Sequence, residues 1–225
     1  MSQTWSSKEQ LYPGVWVYRD VITPQHQLIE RITKTVEDSN GLIKWKEALV
    51  GYMEKKPEYR DCQDIKLNKM DNPQDPFENE LHEVWKLAKA LQQPAADDYC
   101  SMYSIRMDYW EAMNVISYGP GQHFQEHADH GFSYVATVSL VAYPNDDYEG
   151  GELYFPKINL KIKPKAGDLY VFPSTYLFSH VAMPVTSGMK YSIVTMLDYN
   201  DNPHSPEYYK MIMDKSNAQN PGIRY

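Results

Sequence analysis

Along the second half of the chain, apolar residues cluster in short runs separated by turn-forming residues. The runs are MNVISY, YVATVSLVAY, GELYF, INLKI, DLYVF, HVAMPV and KYSIVTML. Short β-type segments at such spacing predict an antiparallel sandwich or jelly roll. Upstream the pattern is mixed. Gly14 to Val21, GVWVYRDV, reads as a strand that ends at Thr23-Pro24, an N-cap followed by proline at a first helical position. From Gln25 to Asp38, Leu28, Ile29, Ile32 and Val36 recur at helical spacing, and Asn40-Gly41 stops the pattern. Residues 42–73 show little periodicity and read as irregular structure with short strands. Asp75-Pro76 with Glu78 then caps a second helix, whose stripe of Leu81, Val84, Trp85, Ala88 and Leu91 is expected to end before Pro94. The tail, 199–225, is polar, with a short helix expected between Asn202-Pro203 and Asn220-Pro221.

These elements predict a mainly β domain with flanking helices (α+β). It divides into strand and helical support over 11–98, a jelly-roll core over 99–198 and the polar tail. A length of 225 residues suits one substantial core, so a single domain is expected. The net charge of -8 disfavours nucleic acid as a partner. No apolar run has membrane-spanning length and the first residues, MSQTWSSKEQ, lack a secretory pattern, so the expected setting is cytoplasmic. Cys62 and Cys100, far apart in a chain large enough to need no staples, are expected to be reduced thiols.

The candidate chemistry lies in His127, Asp129 and His180. Two histidines and one carboxylate on one face of a metal leave the opposite positions open, the facial arrangement of non-haem Fe(II) oxygenases. His127 and Asp129 stand two apart, so a strand would send both side chains to one face. His180 opens a later β-type run and would come from a neighbouring strand. His123 and His127 have the spacing of a helical zinc pair, but Tyr118-Gly119-Pro120-Gly121 just before them argues against a helix. His26, His82 and His204 read as surface residues, and a regular strand would turn His130 away from the site.

Lys190 follows His180 across a turn-prone Thr186-Ser187-Gly188, which predicts a hairpin with Lys190 opening the partner of the His180 strand. About five residues along the strands is roughly 17 Å, a gap that a chelating five-carbon dicarboxylate and a lysine stem could bridge. A buried lysine needs a compensating anion, and a cosubstrate carboxylate is one.

The stretch from Tyr118 to Asp129, YGPGQHFQEHAD, and the later HVAMPVTSGMKYS resemble the two signature blocks of the prolyl 4-hydroxylase group of Fe(II)/2-oxoglutarate dioxygenases. Glu149-Gly150-Gly151-Glu152-Leu153, Lys165-Ala166-Gly167-Asp168 and the opening GVWVYRDVITPQHQLIERI are similar to that family in order and spacing. The resemblance implies a double-stranded β-helix core with N-terminal helices packed on one sheet. It implies iron held by His127, Asp129 and His180, 2-oxoglutarate paired with Lys190 and hydrogen-bonded by Tyr118, and it allows ascorbate as a reductant. The substrate it implies is a prolyl residue in a peptide or protein, with a free amino acid or another protein side chain as the alternative. A catalytically silent binding module of cupin type is the competing reading, because a fold does not fix its function.

Overall fold

A computed structural model of the chain describes residues 3–50, 55–68, 73–111, 113–131 and 135–201, with Ser205, Glu207 and Lys210 beyond them. Of the helix expected in the tail, Glu207 and Lys210 are described and helical, and His204 lies outside the described residues. A hairpin of β1 (Lys8–Tyr12) and β2 (Val15–Ile22) leads through a single 3-10 turn into α1 (Leu28–Asp38). Short strands β3 (Lys46–Glu47), β4 (Arg60–Asp61) and β5 (Gln63–Leu67) precede the long helix α2 (Pro76–Met102). Then follow β6 (Tyr109–Trp110), β7 (Met113–Tyr118), β8 (His123–His127) and β9 (Val138–Ala142). The remaining strands are β10 (Glu149–Gly150), β11 (Leu153–Phe155), β12 (Leu160–Ile162), β13 (Gly167–Pro173), β14 (His180–Ala182), β15 (Val185–Ser187) and β16 (Lys190–Asp198).

Two antiparallel sheets face each other. The larger runs β1-β2-β13-β9-β16-β7-β5-β3, and the smaller runs β12-β11-β14-β8-β4. Strand alternation gives the larger sheet two buried faces. On β16, Ile193 and Leu197 join Val84, Ala88 and Ala95 of α2 in the outer core, and Thr195 lies against Gln92 of that helix. The intervening Lys190, Ser192, Val194 and Met196 point between the sheets and line a cavity there. Both helices therefore cover one face of the larger sheet, as the family resemblance implies, and leave the concave side for the site.

The chain departs from its sequence pattern in four places. The first helix begins at Leu28, because Thr23-Pro24 caps the 3-10 turn before it. The second is capped as expected, Asp75 accepting from the backbone of Phe77 and Glu78 at 2.8 Å, but it runs through Pro94 to Met102. Proline removes one donor from the ladder, and burial of Ala95, Ala96 and Tyr99 beyond it offsets that loss. Residue 99 thus lies inside a helix. The support segment also enters both sheets: β5 pairs with β7 in the larger and β4 pairs with β8 in the smaller. Of the run YVATVSLVAY, only Val138–Ala142 is strand among the described residues. Among them, no helix is long and apolar enough to cross a membrane.

The Lys165-Ala166-Gly167-Asp168 turn is held by Asp168, a buried carboxylate that accepts from Arg19 Nη1 at 2.7 Å, the Tyr170 hydroxyl at 2.7 Å and the Lys165 backbone at 2.9 Å. It ties β2 to β13, at the centre of one half of the larger sheet. Asp168→Ala leaves three donors without an acceptor and is expected to cost about 2–4 kcal/mol, moderated because Arg19 keeps partial access to water. Loss of the exposed partner in Glu9→Ala should cost under about 1 kcal/mol. Urea denaturation of the two variants checks this, and equal midpoints would refute it.

Candidate metal and cosubstrate site

His127 closes β8, His180 opens β14, and the two are direct cross-strand partners in the smaller sheet. That register places their rings 4.4 Å apart between centroids. Asp129 lies beyond the end of β8, in a bend, so its approach to His127 comes from the turn of the chain and not from the strand alternation that the sequence suggests. The bend is pinned by its neighbour: His130 donates its backbone N–H to Ser174 at 2.9 Å, and its Nδ1 is 2.7 Å from the Ala136 carbonyl. His130 does point away from the donors, as expected, and serves to shape the loop that carries one of them.

The donor atoms of His127, Asp129 and His180 all lie within 4.8 Å of one another, the one group suited to a metal among the described residues. Their tautomers are set by backbone. His127 Nδ1 is 2.8 Å from the Gln125 carbonyl and His180 Nδ1 is 3.2 Å from the Phe178 carbonyl, so each Nδ1 carries the proton. Both Nε2 lone pairs are thereby free, at 3.7 Å and 4.0 Å from the Asp129 carboxylate. Burial, followed by the adjacent His180, pushes His127 down to about 3, which keeps it a neutral ligand. Asp129 Oδ2 accepts from Ser139 at 2.6 Å, and Ser139 shares a 2.8 Å contact with Ser174. Phe124 stacks on the His127 ring at an interplanar angle of 13°. Ser139, on β9 of the facing sheet, is a member of the site that sequence reasoning missed; a serine in an apolar run carries no spacing signal.

Lys190 does not stand on the partner of the His180 strand. It opens β16 in the larger sheet, paired with Tyr118 of β7, and faces the histidines across the gap between the sheets. Residues 185–187 leave β14 and pair instead with β10, which is why no simple hairpin forms. Lys190 is 1 % exposed, and its Nζ donates to the Gly151 carbonyl at 2.7 Å. The rings of Tyr118 and Tyr143 lie 5.0 Å and 5.3 Å from it. No carboxylate makes an ion pair with it among the described residues. Burial, followed by repulsion from Lys163, lowers Lys190 to about 7. Donors, cation and rings share one cavity of about 100 Å³, room for more than a few water molecules.

Gly151 leaves room for the Lys190 stem beside that cavity, and Gly150 for the close approach of the Pro184 backbone. Both have positive φ, and a Cβ on Gly151 would lie 3.0 Å from Lys190 Cδ and 3.0 Å from Tyr148 Cε2. Tyr118, expected to hydrogen-bond a cosubstrate, is buried with its ring 5.0 Å from Lys190 Nζ. His26 hydrogen-bonds its own turn at Thr23, His82 stacks on Trp85, and His123 faces the Gly121 carbonyl, so none of the three enters the donor set. Arg60, from the region without periodicity, is the other missed residue: it lines the cavity with its guanidinium 4.7 Å from the Phe124 ring. Cys62 and Cys100 are both free thiols.

Comparison with known proteins is consistent with this geometry. Residues 113–197 match the family model described as the 2OG-Fe(II) oxygenase superfamily. A protein named "Putative prolyl 4-hydroxylase" from Acanthamoeba polyphaga mimivirus is 31% identical over 123 residues, 45% of this chain and 50% of that protein. The chain thus aligns with half the length of that relative. Among solved structures, the Trichoplax adhaerens prolyl hydroxylase, in complex with a hypoxia inducible factor oxygen degradation domain peptide, superposes with a TM-score of 0.65 at 14% identity, over 88% of this chain and 86% of that one. The viral collagen prolyl hydroxylase of Paramecium Bursaria Chlorella virus-1, in its 2OG complex, gives 0.57 at 20% identity, over 82% and 95%. These likenesses bear out the jelly-roll fold.

Proposed function

We propose that the chain is an Fe(II)- and 2-oxoglutarate-dependent dioxygenase that hydroxylates a prolyl residue of a peptide or protein. The observation that carries this reading is a two-imidazole, one-carboxylate donor set facing a buried lysine that makes no ion pair among the described residues, across one cavity. His127, Asp129 and His180 fit iron through two Nε2 atoms and a carboxylate. Bound there, iron would supply oxygen activation coupled to cosubstrate decarboxylation. The protein's part is positional. Gln125 and Phe178 carbonyls hold the imidazole protons on Nδ1, and Ser139 fixes the carboxylate that completes the set. Lys190 offers its remaining N–H donors to the distal carboxylate of 2-oxoglutarate, with Tyr118 forming the floor under that contact. Phe124, Val141, Leu153 and Val194 exclude water around it. A silent cupin-type module would have no use for an unneutralised buried cation. A prolyl substrate is favoured by the mimivirus relative and by the two solved prolyl hydroxylases, one of which carries a peptide. The free thiols suit a cytoplasmic setting.

Anaerobic Fe(II) titration with 2-oxoglutarate, followed by aerobic succinate detection, tests the reaction class. Asp129→Ala should bind no iron and turn nothing over. Ser139→Ala should keep the fold and weaken metal affinity about 10–100-fold by freeing the carboxylate. Unchanged metal affinity in Ser139→Ala would refute its role.

Lys190 also ties stability to pH. Its folded-state value of about 7 lies below the unfolded value near 10.4, so the folded state holds fewer protons between these limits. Stability therefore rises with pH across that window, and the full cost of burying the charge is present below about pH 7. Lys190→Met should raise the melting temperature of the metal-free protein at neutral pH, with the gain shrinking towards about pH 10. The same variant should weaken 2-oxoglutarate binding at least about tenfold and abolish the proton uptake that accompanies it near pH 8.5 in wild type. Calorimetry in two buffers of different ionisation enthalpy reads that uptake, and unaltered 2-oxoglutarate affinity in Lys190→Met would remove the lysine from the cosubstrate site.

A further inference from the structure

Arg60 stands at the rim of the smaller sheet on β4, the edge strand that pairs with β8 and lies beside the metal donors. Its guanidinium is held on several sides. Nη1 donates to the Leu49 carbonyl at 2.8 Å, Nη2 lies 3.6 Å from the Asp64 carboxylate, and the group rests 4.7 Å from the ring of Phe124, itself stacked on His127. The Nε–H is different. It is buried and has no acceptor among the described residues, on a side chain that lines the cavity. A donor held in this way costs stability unless something supplies the missing acceptor.

We infer that Arg60 is a substrate-positioning residue whose Nε–H donates to a backbone carbonyl of the bound peptide, next to the residue presented to the metal. The inference rests on the peptide-hydroxylase reading above. A carbonyl fits better than a carboxylate for two reasons. Asp64 already offsets the guanidinium charge, and with Nη1 turned to Leu49 and Nη2 to Asp64 the Nε–H is the buried donor left over, a single donor and not the paired fork a carboxylate takes. The cosubstrate is served elsewhere, by Lys190 on the opposite sheet. Arg60 instead stands on an edge strand, where an extended chain can approach from solvent. Its contact with Phe124 couples that approach to the ring that backs a metal ligand, so a docked peptide is held in register with the donors.

The test is anisotropy of fluorescein-labelled peptides with a central proline, bound to Fe(II)-loaded protein with 2-oxoglutarate under anaerobic conditions. Wild type is compared with Arg60→Met and Arg60→Lys, the latter keeping charge without the Nε–H, and melting curves confirm that each variant is folded. Each peptide is also used with a thioamide replacing the carbonyl on either side of the proline, which weakens that acceptor. Both variants should bind peptide about tenfold or more weakly, with 2-oxoglutarate affinity by calorimetry close to wild type. The thioamide should weaken binding to wild type and add no further loss in Arg60→Lys, even if Arg60→Met fails to fold. Peptide binding equal to wild type in Arg60→Lys, or a matching loss of 2-oxoglutarate affinity, overturns the assignment. A wild type that takes iron and 2-oxoglutarate but binds no peptide overturns the peptide reading together with this one, and is distinguishable because the variants are then irrelevant to the failure.

Discussion

A lysine ammonium buried between two sheets, with a backbone carbonyl as its one hydrogen-bond partner among the described residues, is the constraint from which the rest of this site follows. Removing a charge from water is costly, and proteins normally offset it with an opposite charge placed alongside. Here the nearest groups are tyrosine rings, whose faces attract a cation weakly, and Lys163, whose repulsion outweighs the attraction of Glu152. The fold keeps the charge unneutralised where the cavity gives an anion room to meet it. Such a site discriminates by chemistry: an anionic ligand recovers the desolvation cost on binding, whereas a neutral one of the same shape does not.

Placing the cation and the metal donors on opposite sheets gives each its own rigid support. The histidines are cross-strand partners in the smaller sheet, and Lys190 opens the longest strand of the larger one. Neither can shift without disturbing a hydrogen-bonded ladder. Asp129, the one donor carried by a bend, is fixed instead by Ser139 from the facing sheet, so the carboxylate is referenced to both layers at once. The α2 helix contributes from a distance by burying the outer face of β16, which leaves the inner face of that strand free to carry polar residues.

That His127, Asp129, His180 and Lys190 come together was more legible than the paths that bring them there. His127, Asp129, His180 and Lys190 share one cavity, as their chemistry suggests. Yet the alternation expected to join His127 to Asp129 is replaced by a bend, and the hairpin expected to join His180 to Lys190 is replaced by a crossing between sheets. In both cases the spacing admits more than one geometry, and pairing with distant strands decides among them. Pro94 shows the same limit at the level of packing: a local helix breaker is outweighed by apolar burial beyond it. Arg60 and Ser139 carry no periodic signal, because their value lies in what approaches them from another part of the chain.

The segment with the least regular pattern, 42–73, does the most to join the two halves of the roll. Within it, β4 extends the smaller sheet past β8, and β5 extends the larger sheet past β7, with Cys62 packed between Arg60 and Tyr118 at the crossing. A strand pair that must enter two sheets within a few residues cannot keep a single alternation of apolar and polar positions, since its inward face changes as it crosses. The loss of periodicity there is therefore a consequence of the segment's place in the fold. The same crossing brings Arg60 to the cavity wall beside the donors while Lys190 lies on the sheet opposite, so the two cations reach one cavity from separate layers.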